Sequence, residues 1–188
     1  MNTNEVFFYY INHNLQNPAF DAVMPFITRF GGFIWMLIIV IAIILYAHLR
    51  NRKTLKRVAI LALVALLFSD LITYAVKMIV KEPRPYAVLE GVRVLIYEDD
   101  IFAFPSGHAT STLAVVSVFL LNLDDLMEKH KTAVAILLLL FAIVIPFSRV
   151  YCGVHYPFDV LAGVLIGIFG ALVVNHFKDR IISIISHR

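Results

Sequence analysis

Three short polar clusters interrupt an otherwise apolar chain, and their residue types suit the transfer of a phosphoryl group. The first runs from Lys77 to Pro85 and reads KMIVKEPRP, the second is PSGH at 105–108, and the third runs from Ser148 to Asp159 and reads SRVYCGVHYPFD. An ionised group is costly in an apolar environment and is usually functional there. We therefore treat the three clusters as candidate parts of one site.

The candidate phosphate-binding residues are three cations and a helix start. Three converging cations (Lys77, Arg84 and Arg149) favour a multiply charged anion, and a guanidinium group matches two phosphate oxygens at once. Ser106 and Gly107 stand where a helix is predicted to begin. Serine is a good N-cap, the free N–H groups there attract an anion, and glycine lets the backbone approach it.

Two histidines and an aspartate supply the remaining chemistry. His155 and Asp159 are four residues apart across a proline that suits a first helical turn. The carboxylate can accept one imidazole N–H, which leaves the other ring nitrogen free to attack phosphorus. His108 can protonate the leaving group, while the cations stabilise charge in the transition state. The sequence thus predicts His155, His108 and Asp159 as catalytic residues.

The composition places these residues in a membrane protein. Apolar residues make up 61% of the 188 residues and charged ones 15%, against about 25% charged in soluble domains. This balance excludes a water-soluble enzyme, a disordered chain and a collagen-like fibre, and the long unbroken apolar runs exclude a lipid-facing barrel. The net charge of +3 is only weak evidence for nucleic acid, and we predict no such partner. The single cysteine excludes an internal disulfide.

Five segments carry little enough charge, over enough length, to be helical spans. They are Phe30–Leu49, Val58–Val80, Gly107–Leu123, Thr132–Phe147 and Phe158–Phe177. Residues 1–29 are predicted to form an amphipathic segment on the outer face, and the count becomes six if they span instead. We predict an all-α, polytopic transmembrane helical bundle of five to six spans. It forms a single domain over 1–188, with its catalytic region at 77–159.

The orientation follows from the five cations of Arg50–Arg57, which carries no acid and is predicted to face the cytoplasm. Parity then puts all three polar clusters outside. We predict a multi-pass protein of the inner (cytoplasmic) membrane whose active site faces the periplasm or the exterior.

The three clusters resemble the signature motifs of the type 2 phosphatidic acid phosphatase superfamily, which read K-x6-RP, PSGH and SR-x5-H-x3-D. Every signature position is present, and in order. The resemblance implies that His155 forms a phosphohistidine, that Asp159 orients it and that His108 is the acid for the leaving group. It also implies that Lys77, Arg84, Ser106, Gly107 and Arg149 hold the phosphate, and that no metal or other cofactor is required. The vanadate-dependent haloperoxidases of the same family are mostly soluble or much larger, so we set that activity aside.

The predicted function is hydrolysis of a phosphate monoester or diphosphate on an envelope lipid within the bilayer. Undecaprenyl diphosphate, phosphatidylglycerophosphate, phosphatidic acid and the 1-phosphate of lipid A all remain candidates. The alternative is a lipid transporter or flippase that binds the head group without hydrolysis. Such a protein needs the cations but has no use for the pair His155 and Asp159.

Other polar and small residues are predicted to be structural. Asp70 is interpreted as a polar contact that fixes helix packing, and Glu98-Asp99-Asp100 as a solvated loop in preference to a metal site. Gly163, Gly167 and Ala171 lie four apart and predict a close approach between helices.

Overall fold

The computed structural model describes residues 1–186, and the regular elements in that range are helices. The α-helices are α1 (Thr3–Tyr9), α2 (Pro18–Ile27), α3 (Phe33–Leu49), α4 (Lys53–Val80), α5 (Pro85–Val88), α6 (Gly107–Leu121), α7 (Leu123–Leu126), α8 (Lys131–Tyr151), α9 (Pro157–His176) and α10 (Lys178–Ser186). A π-helical turn, Tyr10–Asn14, follows α1, and a 3-10 turn, Thr28–Gly31, leads from α2 towards α3. The prediction of an all-α chain is confirmed.

The helix lengths support fewer membrane crossings than the five to six predicted from the apolar segments of the sequence. In the described part of the chain, α4, α8 and α9 are each long and apolar enough to cross a membrane. A fourth crossing would form if Pro18–Gly31 and α3 together made one span, but the chain bends by 62° at the break between these two segments. Helix α6 has only 15 residues, about 22 Å against a hydrocarbon core of about 30 Å. It ends at Asn122, where a separate turn begins, so the count of five to six spans is not confirmed.

Helix α6 lies at the centre of the bundle and packs against α3, α4, α8 and α9. Its residues from Ala109 to Val116 are all buried. The closest approach is to α9, where a Cβ atom added to Gly163 would lie 2.4 Å from the carbonyl oxygen of Ser106. One turn further, a Cβ on Gly167 would lie 2.5 Å from the carbonyl oxygen of Thr110. The packing role predicted for this face of α9 is confirmed.

The bundle has two chemically different ends, which α4 connects. The basic segment Arg50–Arg57 overlaps the start of α4, and Lys77 lies in its last turn. Arg57 and Lys77 are 20 residues apart in one helix, about 30 Å. We call the end with Arg50–Arg57 the basic end and the end with Lys77 the motif end. Helix α4 stops at Lys81, whose φ of 52° is left-handed.

The N-terminal segment covers part of the motif end. The Tyr9 hydroxyl donates a hydrogen bond to the carbonyl oxygen of Glu90 at 2.7 Å. Asn12 is fully buried, and its Nδ2 donates to the carbonyl oxygens of Arg93 at 2.9 Å and Tyr151 at 3.1 Å. These contacts fix residues 1–29 to the loops beside the polar clusters. Their location at the membrane interface stays a prediction.

Candidate active site

The fold brings all eight predicted site residues to the motif end. They come from the end of α4 (Lys77), the residue before α5 (Arg84), the start of α6 (Ser106, Gly107, His108), the end of α8 (Arg149) and the start of α9 (His155, Asp159). A cavity of about 190 Å³ is lined by Lys77, Arg84, Gly107, His108 and His155. A second cavity of about 350 Å³ is lined by Arg149 and again by His108. Ser106 and Asp159 are fully buried.

The His155 ring lies between a carboxylate and a guanidinium group. Its Nδ1 lies 3.3 Å from Oδ2 of Asp159, and Nε2 lies 3.0 Å from Nη1 of Arg84. In the tautomer that donates from Nδ1 to the carboxylate, Nε2 carries the lone pair and accepts from the guanidinium. Burial lowers the pKa of His155 well below its usual value, and Arg84 and Arg149 lower it further. The imidazole is therefore neutral at pH 7, as a nucleophilic histidine must be.

Asp159 connects the second and third clusters. Its Oδ2 accepts a second hydrogen bond from the Tyr156 backbone N–H at 2.8 Å, which fixes the carboxylate within the first turn of α9. Its carbonyl oxygen accepts the backbone N–H of Ser106 at 3.0 Å. The start of α6 and the start of α9 are thus tied by one backbone hydrogen bond, so His108 and His155 are positioned by the same contact.

Three of the buried polar atoms without a hydrogen-bond partner in the described residues belong to this site. They are the Ser106 hydroxyl oxygen, Nε of Arg149 and Oδ1 of Asp159. An unpaired buried polar group is costly and calls for an explanation. Two of these groups are donors, which phosphate oxygens would satisfy. A Cβ added to Gly107 meets no atom within 4 Å, so the backbone beside them is open to a ligand.

All three cations are paired with carboxylates from the loop between α5 and α6. Nζ of Lys77 lies 2.6 Å from Oδ2 of Asp100, and Nη2 of Arg84 lies 3.8 Å from the same oxygen. Arg149 is fully buried and pairs with the Glu98 carboxylate. The acidic run lies in a loop that is partly exposed to solvent, but Glu98 and Asp100 also pair with buried cations, which the sequence did not predict. In residues 1–186 no three His, Cys, Asp or Glu side chains form a group able to hold a metal ion.

Backbone carbonyls hold the same cations in place. Lys77 Nζ donates to the carbonyl oxygen of Phe102 at 2.7 Å. Arg84 donates from Nε to the carbonyl of Asp100 at 2.8 Å and from Nη1 to that of Val154 at 2.9 Å. Burial acts to raise the pKa of Asp100, but hydrogen bonds from Lys77 and the Phe102 N–H outweigh it and hold that pKa below its usual value. Asp100 is therefore ionised at neutral pH.

Sequence reasoning missed two further contacts. Nη1 of Arg149 donates to the Thr28 hydroxyl oxygen at 2.9 Å, and nothing in the N-terminal segment signalled this. Glu82 lies close to Asp159, and burial raises the pKa of the Glu82 carboxyl. Glu82 lies inside the first cluster, so its position was a usable signal. The polar contact predicted for Asp70 is confirmed, since the Ser111 hydroxyl lies 2.9 Å from both of its carboxylate oxygens.

The chain is similar to known membrane phosphatases. The chain is 30% identical over 164 residues to the undecaprenyl-diphosphatase BcrC of Bacillus subtilis (strain 168), covering 87% of this chain and 78% of that protein. It is also 30% identical over 172 residues to phosphatidylglycerophosphatase B of the same organism, covering 89% and 79%. The crystal structure of a transmembrane PAP2-type phosphatidylglycerolphosphate phosphatase from Bacillus subtilis superposes with a TM-score of 0.80 at 27% identity, covering 96% of this chain and 89% of the other. The PAP2 superfamily matches residues 58–183, and the chain therefore belongs to that superfamily, as a multi-pass membrane protein.

Proposed function

We propose that the protein is a lipid phosphate phosphatase that works through a phosphohistidine on His155. The observation that carries the proposal is the surroundings of this one side chain. Its Nδ1 faces a buried carboxylate, its Nε2 lies beside the Arg84 guanidinium, and the residue lines a cavity that Lys77 and Arg84 also line. A protein that only binds a head group has no use for a neutral imidazole so positioned. The family membership and the named activities of the relatives support the same conclusion.

The reaction would proceed in two balanced steps. Nε2 of His155 attacks phosphorus, the bond from phosphorus to the lipid oxygen breaks, and His108 gives that oxygen a proton. Water then attacks the phosphohistidine, the phosphorus–nitrogen bond breaks, and His108 takes the water proton. Lys77, Arg84 and Arg149 stabilise the charge on the equatorial oxygens, together with the N–H groups that open α6. On a diphosphate the leaving group is the lipid monophosphate.

The location of the site supports a reaction at the outer face of the membrane. The cavity lies at the motif end, about 30 Å along α4 from the basic end, and the basic end is expected in the cytoplasm. We propose five spans with residues 1–29 at the outer interface, a single domain over 1–188 and a catalytic region at 77–159. In a bacterium this would be the inner membrane. The substrate is a lipid phosphate or diphosphate among the four predicted candidates.

Replacement of the nucleophile separates this proposal from a transporter. We expect His155→Ala to abolish phosphate release from all four candidate lipids while lipid binding stays measurable. His48→Ala is a matched control, because His48 is an exposed histidine in the last turn of α3, near the basic end. The measurement is released phosphate from purified protein in detergent. Full hydrolysis by His155→Ala would overturn the mechanism.

Independence of metal ions is a separate part of the proposal. Because cations of the chain itself face the phosphate position, we expect activity to survive EDTA and to be inhibited by orthovanadate, which imitates phosphate. Loss of activity on chelation, with recovery on adding a divalent ion, would contradict it.

A further inference from the structure

Two carboxylates of the loop between α5 and α6 occupy the cations that we assign to the phosphate. Glu98 pairs with Arg149, and Asp100 pairs with Lys77 and lies near Arg84. Glu98 and Asp100 stand at alternate positions of the loop, and both reach the cations from the solvent side. The Asp100 side chain is 44% exposed and that of Glu98 21%, whereas the partners Lys77 and Arg149 are 9% and 0% exposed.

The placement of Glu98 also divides the site. It lines both the cavity that holds Lys77 and Arg84 and the cavity that holds Arg149. A phosphate in contact with all three cations must take the space and the contacts that the two carboxylates hold. The loop backbone need not move, because Lys77 and Arg84 also donate to backbone carbonyl oxygens of the loop, and these bonds do not depend on the two carboxylates.

From this geometry we propose that Glu98 and Asp100 determine which head groups enter the site, by competing with them for the cations. The inference rests on the proposed function and adds a selection by charge. The three cations carry three positive charges, and the carboxylates neutralise two. A phosphate monoester dianion or a diphosphate replaces both carboxylates without loss of charge balance. A phosphodiester head group brings one negative charge, and buried cations would be left uncompensated.

This selection matters in a membrane, where the site would meet phosphodiester lipids as well as phosphate monoesters. Phosphodiester lipids also present phosphate oxygens to lysine and arginine. Without the carboxylates, the unpaired donors Ser106 Oγ and Arg149 Nε would donate to a diester oxygen as readily as to a monoester oxygen. With them, only a group that carries at least two charges displaces the loop side chains at no electrostatic cost.

The test compares the double variant Glu98→Gln and Asp100→Asn with Asp99→Asn. Asp99 is an exposed residue of the same loop, so its variant removes the same charge type from the same loop. Two probes are used on full-length protein in neutral detergent. The first is inorganic phosphate, with binding measured by titration calorimetry. The second is dioctanoyl phosphatidylglycerol, a monoanionic diester, measured as an inhibitor of phosphate release.

We expect the double variant to bind inorganic phosphate at least tenfold more tightly than the wild type and to become inhibited by the diester. Asp99→Asn should match the wild type in both measurements. Unchanged phosphate affinity in the double variant, or an equal gain in Asp99→Asn, would overturn the inference. The single variants Glu98→Gln and Asp100→Asn, each with its unfolding temperature, replace the double variant if that one does not fold.

The binding measurement keeps this inference separate from the proposed function. If the wild type releases no phosphate from any candidate lipid, the proposed function fails, and calorimetry still decides whether the carboxylates compete with phosphate. If the wild type is active and the phosphate affinities do not differ, only the selection by charge fails.

Discussion

The contact between α6 and α9 allows a quantitative prediction, since it positions both histidines. In Gly163→Ala, the new Cβ would lie 2.4 Å from the carbonyl oxygen of Ser106, about 1 Å short of the 3.4 Å at which ordinary contact begins. The neighbouring atom is backbone and cannot rotate away, so the two helices must separate. Overpacking of this kind costs about 1–3 kcal/mol of unfolding free energy.

The same displacement acts on the chemistry. The Ser106 N–H binds the carbonyl of Asp159, so a shift at Ser106 moves His108 relative to His155. A misplacement of about 1 Å costs on the order of 10²-fold in rate, and we expect kcat of Gly163→Ala to fall by about that factor. Released phosphate gives the rate, and thermal unfolding in detergent gives the stability.

Two comparison variants make the reasoning refutable. Gly167→Ala creates the same overlap one turn further from the site, at 2.5 Å from the Thr110 carbonyl, and should lose similar stability but less activity. Leu165→Ala changes an exposed residue of the same helix and should alter neither quantity. If Gly163→Ala kept wild-type activity and stability, the close contact would not position the site.

Two further predictions concern Thr28 and His155. Thr28→Val removes the acceptor of a hydrogen bond from buried Arg149. The loss of one such bond costs roughly 1 kcal/mol or slightly more, so we expect kcat/KM to fall about five- to tenfold. Thr28→Ser keeps the hydroxyl and should retain most of the activity. Burial and the nearby cations lower the pKa of His155, so its imidazole stays neutral as the pH falls through 6.5. We therefore expect kcat/KM to decline only well below pH 6.5. The ionisation of the substrate is measured separately and subtracted from this profile. Below about pH 6.5, His155 binds a proton in the unfolded chain but not in the folded protein, so the free energy of unfolding should fall as the pH drops through this range. Denaturant titration at several pH values measures this change.

The sequence predicted the gathering of the site residues because each cluster carries its own local geometry. Pro157 sets the first turn of α9, so His155 and Asp159 had to lie on neighbouring positions of one turn. Ser106 predicted the start of α6 at Gly107, and the helix does begin there, but the Ser106 hydroxyl makes no capping hydrogen bond. The family resemblance stands on the same local motifs, and it is confirmed by the match over 58–183.

The parts that the sequence did not predict depend on the path of the chain in space. The loop that carries Glu98 and Asp100 has no periodic pattern, so nothing in its order of residues indicated that it returns to the cations. Thr28 reaches Arg149 across 121 positions of the chain. The length of α6 was overestimated because an apolar run does not show where a cap such as Asn122 stops a helix.

On the proposed function, the distribution of polar groups favours recognition of a lipid by its head group over recognition by its tail. Tyr74 lines the smaller cavity and is 61% exposed, and Leu71 on the same helix is 67% exposed. The surface beside the cavity is therefore apolar and accessible, and any acyl or prenyl chain satisfies it, because apolar contact is not directional. Directional and charged contacts are concentrated at the motif end, where Lys77, Arg84 and Arg149 line the two cavities. We therefore expect selectivity to come from the charge of the head group, through the competition that we propose for Glu98 and Asp100.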